Sequence, residues 1–352
     1  MRTSIKSLEG VRGVAALLVV LHHMFYAPTH PLFVNAYLAV DLFFVLSGFV
    51  ISSAYGARLS NLPSLQTFVI RRIGRLWPTH IATTLLALAV VRQVPPLGEV
   101  AALITMSQGL NLFSDAIGNV VSWSVSDEMY VYLVFGAACF LMRGTARMLA
   151  FAVLAVCAYA LAVWIEIERG CLQSGGCLNG LIFQFGWTRC LAGFFIGALI
   201  DAFRDRAVAM LGSSPVQLTA ISASFLLLMF ADNLPGSALT APLVFGVLIG
   251  SLAGDRGPVA RMLQTAPAQY LGRVSYPLYL GHGVMFIPLA GYAAGAGLTE
   301  RLTAYALFLF WTFGIAHLLH KYVEVPFRNR FNAWSRPTSR SSSTYAQIKE
   351  RQ

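Results

Sequence analysis

The sequence predicts an all-α polytopic transmembrane helical bundle of about ten spans, with both termini in the cytoplasm. Of the 352 residues, 57% are hydrophobic and only 11% are charged, whereas a soluble domain has about 25% charged residues. Apolar runs recur along nearly the whole chain, and a spanning helix needs roughly 20 apolar residues. This composition excludes a soluble globular enzyme, a disordered protein and, with only five cysteines, a disulfide framework.

The apolar segments set the order of the predicted spans. The first segment, 11–27, lacks a small-residue cleavage site, so we interpret it as a retained helix and not as a signal peptide. The stretch from Ser335 to Gln352 is polar and Ser-rich, which is typical of disorder. We therefore expect a membrane domain over residues 1–330 and a disordered cytoplasmic tail over 331–352. The other spans are predicted at 36–55, 76–92, 126–142, 147–165, 181–202, 216–231, 238–253, 275–293 and 301–320.

A further apolar stretch, 97–113, is either an eleventh span or a segment at the surface. Loop charge favours the surface segment, because cytoplasmic loops of membrane proteins collect Lys and Arg. With ten spans, the side that holds Arg2 and Lys6 also holds most of the other loop arginines, whereas an eleventh span would place half of the basic loops outside. The net charge of +10 follows from the same rule and requires no nucleic-acid partner.

One cysteine pair is close enough in sequence to form a disulfide, and one histidine pair is close enough to share a metal ion. Cys171 and Cys177 fall in the predicted outer loop 166–180, where an oxidising exterior permits a disulfide; two unpaired thiols fit the sequence equally well. On the last span, His317 and His320 are three residues apart but lack a clear third ligand. We therefore predict no metal site.

Ionisable side chains inside the predicted spans are costly in lipid and are functional candidates for that reason. They occur on several different spans, so we expect them to surround a polar cavity between the helices. The set comprises His22, His23, Asp41, Glu128, Arg189, His282 and His317.

Arg12 and His23 form the most definite pattern. Their separation of 11 residues is about three helical turns, so both side chains project from nearly the same face, with a rise of roughly 16 Å between them. An arginine at the cytoplasmic mouth suits an anionic ligand, and a deep histidine suits proton abstraction. The alternative is that Arg12 only anchors the helix at the headgroups and that His23 caps a backbone carbonyl.

Three arginines, Arg71, Arg72 and Arg75, precede Trp77 and the third span. Arg72 and Arg75 share a face if this segment is helical, and such a cluster can hold phosphates. A positive-inside anchor with an interfacial tryptophan has the same sequence pattern. Both interpretations fit the segment.

The fourth and ninth spans both begin with polar residues. In the fourth, Asp127 is explained as a carboxylate in the first turn of a helix, whereas Glu128 lies deeper and capping explains it less well. In the ninth, Ser275, Tyr279 and His282 are four and three residues apart, which predicts one polar stripe on one helix face.

Six sequence blocks resemble those of the acyltransferase-3 family of integral membrane acyltransferases, which modify bacterial cell-surface and extracellular polysaccharides. The blocks follow one another along the chain in the same order as in that family. Arg12 and His23 are similar to its Arg-x10-His signature. Two small departures are Asp127, where an apolar residue is more usual, and His320, where a tyrosine is common. The blocks are Leu8 to Ala16 with His23, Val40 to Phe49, Arg71 to Pro78, Trp123 to Tyr132, Leu271 to His282 and Val323 to Arg328.

The resemblance implies a ten-helix core in the bacterial inner membrane, an acyl-CoA donor (usually acetyl-CoA) from the cytoplasm, a glycan or lipid-linked sugar acceptor, and no permanently bound cofactor. The predicted catalytic residues are His23, the general base, and Arg12, which also meets the CoA phosphates. Glu128 or Asp41 is predicted to orient the imidazole. Donor binding is assigned to Arg72, Arg75, Arg273, Trp123, Ser124, Ser275, Tyr279 and His282.

A transporter or flippase is the alternative to an enzyme. Intramembrane His, Asp and Arg residues suit a proton-coupled carrier of a glycan or acyl group. The sequence shows no internal repeat, which weakens the transporter hypothesis, and the six ordered blocks favour the acyltransferase.

Overall fold

The computed structural model describes residues 5–24, 30–293 and 297–335. Within these ranges the protein is all-helical, and a helix overlaps each predicted apolar segment; residues 25–27 of the first segment lie outside the described residues. The helices are α1 (Lys6–Met24), α2 (Pro31–Val34), α3 (Ala39–Tyr55), α4 (Leu62–Val91), α5 (Leu97–Thr105), α6 (Trp123–Leu141), α7 (Gly144–Glu168), α8 (Cys171–Ser174), α9 (Gly186–Ala202), α10 (Arg204–Leu211), α11 (Ser214–Phe230), α12 (Ala241–Leu252), α13 (Pro258–Leu263), α14 (Ala266–Ala293), α15 (Leu298–Leu319) and α16 (Val325–Trp334).

Four described segments are long and apolar enough to cross a membrane by themselves: Pro31–Tyr55, Val120–Leu141, Gly144–Glu168 and Leu298–Trp334. Helices α9 and α10 pass the same test together as one segment bent by 87°, and α11 and α12 belong to shorter apolar helices. Helices α1, α4 and α14 carry arginine, histidine and tyrosine side chains among their apolar residues, which lowers their hydropathy. Length and composition alone therefore identify a multi-pass helical protein with four or five spans in the described chain.

Helices α1 and α14 run parallel and pack closely through glycines. A Cβ atom on Gly13 would lie 2.6 Å from the backbone nitrogen of Gly272. Further along the pair, His23 of α1 meets His282 of α14. Small residues let helix backbones approach in this way inside membranes. The functional side chains described below are arranged along this helix pair.

The start of α1 is held by an aspartate from a distant part of the chain. The Asp255 carboxylate accepts hydrogen bonds from the backbone amides of Ser7 (2.8 Å) and Lys6 (3.1 Å), and N–H groups in a first turn have no partner within their helix. Burial of Asp255 opposes its ionisation, but hydrogen bonds from Ser7, Gln264 and Lys6 outweigh burial, so its pKa is lowered from the ordinary value. Asp255 is therefore the N-terminal cap of α1.

Helices α3 and α9 also run parallel and in close contact. A Cβ atom on Gly197 would lie 1.9 Å from the carbonyl oxygen of Val45. Towards the beginning of both helices, Arg189 forms an ion pair with Asp41, and both side chains are buried. Helices α3 and α9 are thus joined both by a close contact at a glycine and by a buried ion pair.

Helices α4 and α6 are antiparallel, because Leu65 approaches Gly136 at one end and Arg72 lies over the ring of Tyr132 further along. Between them, the stretch 97–113 forms only the nine-residue helix α5. Such a helix is about 14 Å long, which is too short to cross a hydrocarbon core of about 30 Å. Both observations argue against an additional span at this stretch, although Met106 and Gln108 are buried in the protein.

Helix α4 begins before the predicted span. Asn61 and Ser64 form a capping box at its start, and the helix continues through Pro78. The segment that carries Arg72 and Arg75 is therefore helical, and the two arginines share one face.

The end of the described chain packs against α4. After α15 the chain forms a π-helical turn, His320–Glu324, and then α16. Phe331 contacts α4 at a glycine, and Ser335 Oγ accepts a hydrogen bond from Arg71 Nε (3.0 Å). Phe331 and Ser335, which the prediction assigned to the tail, therefore pack against the membrane domain. Residues 336–352 lie outside the described residues.

Cys171 and Cys177 form a disulfide in the connection between α7 and α9, which decides between the two alternatives that the sequence leaves. The Tyr37 hydroxyl donates to the Cys177 carbonyl (2.7 Å). The Leu178 amide donates to Glu166 Oε2 (2.6 Å). These bonds attach the loop to the segment before α3 and to the end of α7.

Candidate active site

Two neighbouring cavities, of about 430 Å³ and about 280 Å³, lie along α1 and α14. We call the larger one the basic cavity and the smaller one the histidine cavity. Val40 and Tyr279 line both, so the cavities meet at these two residues. The basic cavity is defined by Arg12, Arg72, Arg75, Arg273 and Arg328, and the histidine cavity by His22 and His23.

The cavities follow each other in the same order on both helices. On α1, Glu9 and Arg12 line the basic cavity and His23 lines the histidine cavity. On α14, Arg273 lines the basic cavity and Phe286 the histidine cavity. Arg12 and His23 therefore belong to different cavities of one helix, because a rise of roughly 16 Å separates them.

Arg72 projects into the basic cavity from α4. Its guanidinium lies over the rings of Tyr55 and Tyr132, at 5.2 Å and 5.7 Å from the ring centroids, and donates to the Tyr55 hydroxyl (3.3 Å). Its Nε is buried and has no hydrogen-bond partner within the described chain. The aromatic rings hold this cation by cation–π contacts, which leaves hydrogen-bonding capacity for a ligand.

A single buried carboxylate, Glu324, organises the other end of the basic cavity. It forms ion pairs with Arg75 and with Arg328 (3.5 Å) and accepts a hydrogen bond from His320 Nδ1 (2.8 Å). The π-helical turn places Glu324 beneath these groups, and such turns are frequent at functional sites. Sequence reasoning assigned Glu324 no role, although it belongs to the block Val323 to Arg328.

Glu128 lines the basic cavity near its boundary with the histidine cavity. Its Oε1 accepts hydrogen bonds from Ser47 Oγ and from the Tyr132 hydroxyl, both at 2.5 Å. These charge-assisted bonds fix the carboxylate between α3 and α6. Ser47 and Tyr132 also lay within recognised blocks without an assigned role.

Tyr279 stands at the boundary of the two cavities. Its hydroxyl lies 2.8 Å from Ser124 Oγ and donates to the carbonyl of Val121 (3.0 Å). Ser275, one turn earlier, lines the basic cavity and donates to the carbonyl of Gly272 (2.8 Å). The two predicted donor-binding hydroxyls Ser124 and Tyr279 are thus brought together.

The histidine cavity has a largely aromatic wall. Tyr37, Trp123, Phe183 and Phe286 line it together with the two histidines that define it. Aromatic rings offer flat apolar surface, and tyrosine and tryptophan add a polar group. The cavity therefore suits a ligand with both apolar faces and hydroxyl groups.

The imidazole of His23 has two neighbours on its Nδ1 side. Nδ1 lies 3.0 Å from the carbonyl oxygen of Val19 and 3.3 Å from Nε2 of His282. Because a carbonyl oxygen only accepts hydrogen bonds, Nδ1 carries the proton. Nε2 of a neutral His23 is then the unprotonated nitrogen, which is the one that can act as a base.

Neither predicted orienting carboxylate contacts His23. The oxygens of Asp41 accept from Nε (3.1 Å) and Nη2 (2.6 Å) of Arg189, and Glu128 is held by Ser47 and Tyr132. The prediction that Asp41 or Glu128 orients the imidazole is therefore not matched by the geometry, because each carboxylate is already bound by another group.

Two predicted donor-binding residues also lie elsewhere than expected. Trp123 lines the histidine cavity, beneath the Arg189 guanidinium at 5.6 Å. His282 is fully buried against His23 and, among the described residues, lines neither cavity. It follows Tyr279 by nearly one helical turn, which carries it past the boundary between the cavities.

The fold and the paired cavities define a multi-pass helical membrane protein with a polar interior. The sequence model of the acyltransferase-3 family, described as an acyltransferase domain, matches residues 5–321, and the chain belongs to this family. The family membership predicted from the six blocks is thereby confirmed, and the protein is an acyltransferase by family.

Two characterised relatives match shorter parts of the chain. Protein 2 in the picA locus of Rhizobium radiobacter is 43% identical over 77 residues, which are 21% of this chain and 39% of that protein. Acyltransferase MdmB of Streptomyces mycarofaciens is 34% identical over 149 residues, which are 37% of this chain and 38% of that protein. The chain thus matches less than two fifths of either relative's length. No solved structure matches the chain.

Proposed function

We propose that the protein transfers an acyl group, most simply acetyl, from cytoplasmic acyl-CoA to a hydroxyl of a cell-surface polysaccharide or its lipid-linked precursor, in the bacterial inner membrane. One observation carries the proposal: a cavity with five arginines adjoins a cavity lined by the His23 imidazole, and the two meet at Tyr279. Transfer between two substrates needs two adjoining sites of this kind.

The basic cavity is the proposed donor site. CoA carries several phosphates, and arginine binds phosphate through forked, charge-assisted hydrogen bonds. Arg72, which lines the cavity and pairs with no carboxylate in the described chain, and Arg12, whose guanidinium pairs there only with Glu9 (3.0 Å), are the groups that phosphates would engage. The pantetheine arm would then extend towards Tyr279.

The histidine cavity is the proposed acceptor site, with His23 as general base. His23 Nε2 takes the proton of the acceptor hydroxyl as its oxygen attacks the thioester carbonyl. The carbon–sulfur bond then breaks, and the proton passes from His23 to the departing thiolate. The Tyr279 hydroxyl, at the boundary, donates to the Val121 carbonyl in this structure and would have to turn away from it to stabilise the oxyanion that develops between these steps. An acyl-histidine intermediate would use the same nitrogen.

We also propose about ten spans with both termini in the cytoplasm. The antiparallel arrangement of α4 and α6 supports this topology, since an additional crossing by α5 would make them parallel. Cysteine-accessibility labelling of a Ser114→Cys variant tests it. Labelling from outside agrees with the proposal, and labelling only from the cytoplasmic side would overturn it.

The activity test uses purified protein in liposomes with labelled acetyl-CoA and a candidate acceptor glycan. The proposal expects labelled acyl-glycan that depends on His23. A proton-coupled carrier with the same cavities would move substrate across the vesicle membrane and form no acyl-glycan, which would contradict the proposal.

A further inference from the structure

His282 has no role in the mechanism above, although it is a fully buried titratable side chain. Its ring centroid lies 5.0 Å from that of His23, and its Nε2 lies 3.3 Å from Nδ1 of His23. Phe286, nearly one turn further along α14, meets His23 edge-on at 4.9 Å. The imidazole of His23 is therefore enclosed by α14 on one side and open to the histidine cavity on another.

The hydrogen-bond partners define where the protons of His282 lie. Its Nδ1 faces the carbonyl oxygen of Leu278 (3.3 Å), which only accepts, so Nδ1 carries the proton. In the neutral ring, Nε2 is then an acceptor, and it faces the Nδ1–H group of His23. The two rings thus form a directed chain from His23 Nδ1–H to His282 Nε2, and from His282 Nδ1–H to Leu278.

We propose that His282 is a positioning residue, which holds His23 in the tautomer that presents a bare Nε2 to the acceptor hydroxyl. This inference rests on the proposed function of His23 as the base. Val19 alone provides a weaker restraint, because its carbonyl belongs to the same helix and is shared with the helical hydrogen bonds. His282 approaches from α14 and so fixes the ring relative to the second helix of the site.

A neutral acceptor suits this position better than a carboxylate would. His22 lies beside His23 with ring centroids 4.8 Å apart, and Arg189 lies across the cavity. Arg189 is already compensated by Asp41, so an additional buried carboxylate would be an uncompensated charge. The Nε2 lone pair of His282 can accept from His23 both before and after His23 takes the acceptor's proton.

Two substitutions at His282 test the proposal. Leucine removes the acceptor, whereas glutamine keeps an acceptor oxygen on a side chain of similar reach. We expect His282→Leu to lower kcat by roughly 10- to 100-fold, because a base that is no longer held in place loses part of its contribution to the rate. The KM for acetyl-CoA should not change. His282→Gln should recover most of kcat. Thr312→Val, at another fully buried polar side chain whose hydroxyl has no hydrogen-bond partner in the described chain, is the matched control and should keep wild-type kcat.

Solid-state ¹⁵N NMR of histidine-labelled wild-type protein reads the tautomer directly, whether or not the enzyme turns over. The proposal expects His23 to be protonated at Nδ1 only. Protonation at Nε2 in the wild type, or a folded His282→Leu variant with wild-type kcat, would overturn it. If His282→Leu does not fold, the wild-type spectrum and the glutamine variant still decide. An active His23→Ala variant would instead remove the proposed base.

Discussion

The basic cavity and the histidine cavity share two residues but treat charge in opposite ways. In the basic cavity, most of the arginines are half-buried in the wall, and carboxylates balance only some of them: Glu9 pairs with Arg12, and Glu324 with Arg75 and Arg328. In the histidine cavity, the buried charges of Asp41 and Arg189 compensate each other in a bidentate pair.

The difference shows how one bundle can provide two environments for one reaction. Arginines that are incompletely paired suit the proposed anionic donor, while the proposed base, His23, is held by a backbone carbonyl and a second imidazole. A base works best where its unprotonated form is kept ready, which favours uncharged neighbours. Each prediction below disturbs one of the two cavities or a structure that supports them.

The largest expected effect comes from removing the base of the histidine cavity. His23→Ala should lower kcat by at least about 10²-fold, because a positioned general base contributes roughly 10²–10⁴-fold. Protein level and unfolding temperature should stay near those of the wild type. Transfer of label from acetyl-CoA to glycan, per mole of folded protein, measures this.

His22 is the neighbouring control for this prediction. Its Nδ1 donates to the carbonyl of Phe33 (2.7 Å), so its described hydrogen bond supports the fold and not His23. His22→Ala should therefore reduce kcat by less than about tenfold. An inactive His22→Ala variant beside an active His23→Ala variant would show that the base has been misassigned.

In the basic cavity, Arg72→Ala and Arg75→Ala should each raise the KM for acetyl-CoA by about tenfold, since hydrogen bonds to charged groups are worth about 1.5–3 kcal/mol. The KM for a neutral glycan should change much less. Lysine keeps the charge but loses the fork, so Arg72→Lys should recover only part of the affinity. Donor KM of the wild type should also rise with salt more than that of the alanine variants.

A purely topological role of these arginines predicts a different result. Both alanine variants would then show reduced membrane insertion, with a normal donor KM in the protein that remains. Steady-state kinetics at two salt concentrations, normalised to folded protein, separate the two outcomes. An unchanged KM in both variants would remove Arg72 and Arg75 from the donor site.

Periodicity predicted the helices and several residues of the cavities, but not the partners of those residues. The spacing of Arg12 and His23 predicted their common helix, and the polar segment before Trp77 proved to be helical. Asp41 was misjudged because its partner Arg189 lies 148 residues away in the sequence. A pattern along one helix carries no information on which side chain of a distant helix fills the space opposite.

The stripe Ser275, Tyr279 and His282 shows a second limit of sequence reasoning. The three residues follow one another along α14, as their spacing indicates, yet they end at three different places: the basic cavity, the boundary and the back of His23. Depth along a helix decides which cavity a residue reaches. Glu324 was missed for a related reason, because a charged residue near the end of the last span is ordinary until its two arginine partners and His320 are known to surround it.

Removing the Cys171–Cys177 disulfide tests whether its loop supports the wall of the histidine cavity. Arg189 donates from Nη1 to the carbonyls of Leu178 (2.8 Å) and Leu181 (3.1 Å), directly after Cys177. Replacing Cys171 and Cys177 by serine should lower the free energy of unfolding by about 2 kcal/mol, as expected for a short closed loop. It should also raise the KM for the glycan more than the KM for acetyl-CoA. Equal changes in both KM values would show that the loop supports the whole bundle and not this cavity.

The smallest expected effect concerns the cap of α1, the helix that supplies residues to both cavities. Asp255 has a left-handed backbone, with φ of 56°, a conformation that asparagine also tolerates. Asp255→Asn should therefore cost only about 0.5 kcal/mol at neutral pH, at the low end for a cap. Asp255→Ala should cost more, about 1–2 kcal/mol, because it loses the cap and adds backbone strain.

The pH dependence of the free energy of unfolding tests whether the charge of Asp255 is what stabilises the start of α1. Its pKa is lowered in the folded protein by hydrogen bonds that outweigh the effect of burial, so the ionised form stabilises the fold above the unfolded-state pKa of about 3.9. This stabilisation is lost as the pH falls through the lower folded-state pKa. Denaturant unfolding in detergent should thus show a difference between wild type and Asp255→Asn that is constant from pH 7 to about 5, shrinks as the pH falls below about 3.9 and is lost below the folded-state pKa. A difference that does not shrink below this pH would mean that shape, and not charge, makes Asp255 the cap of α1.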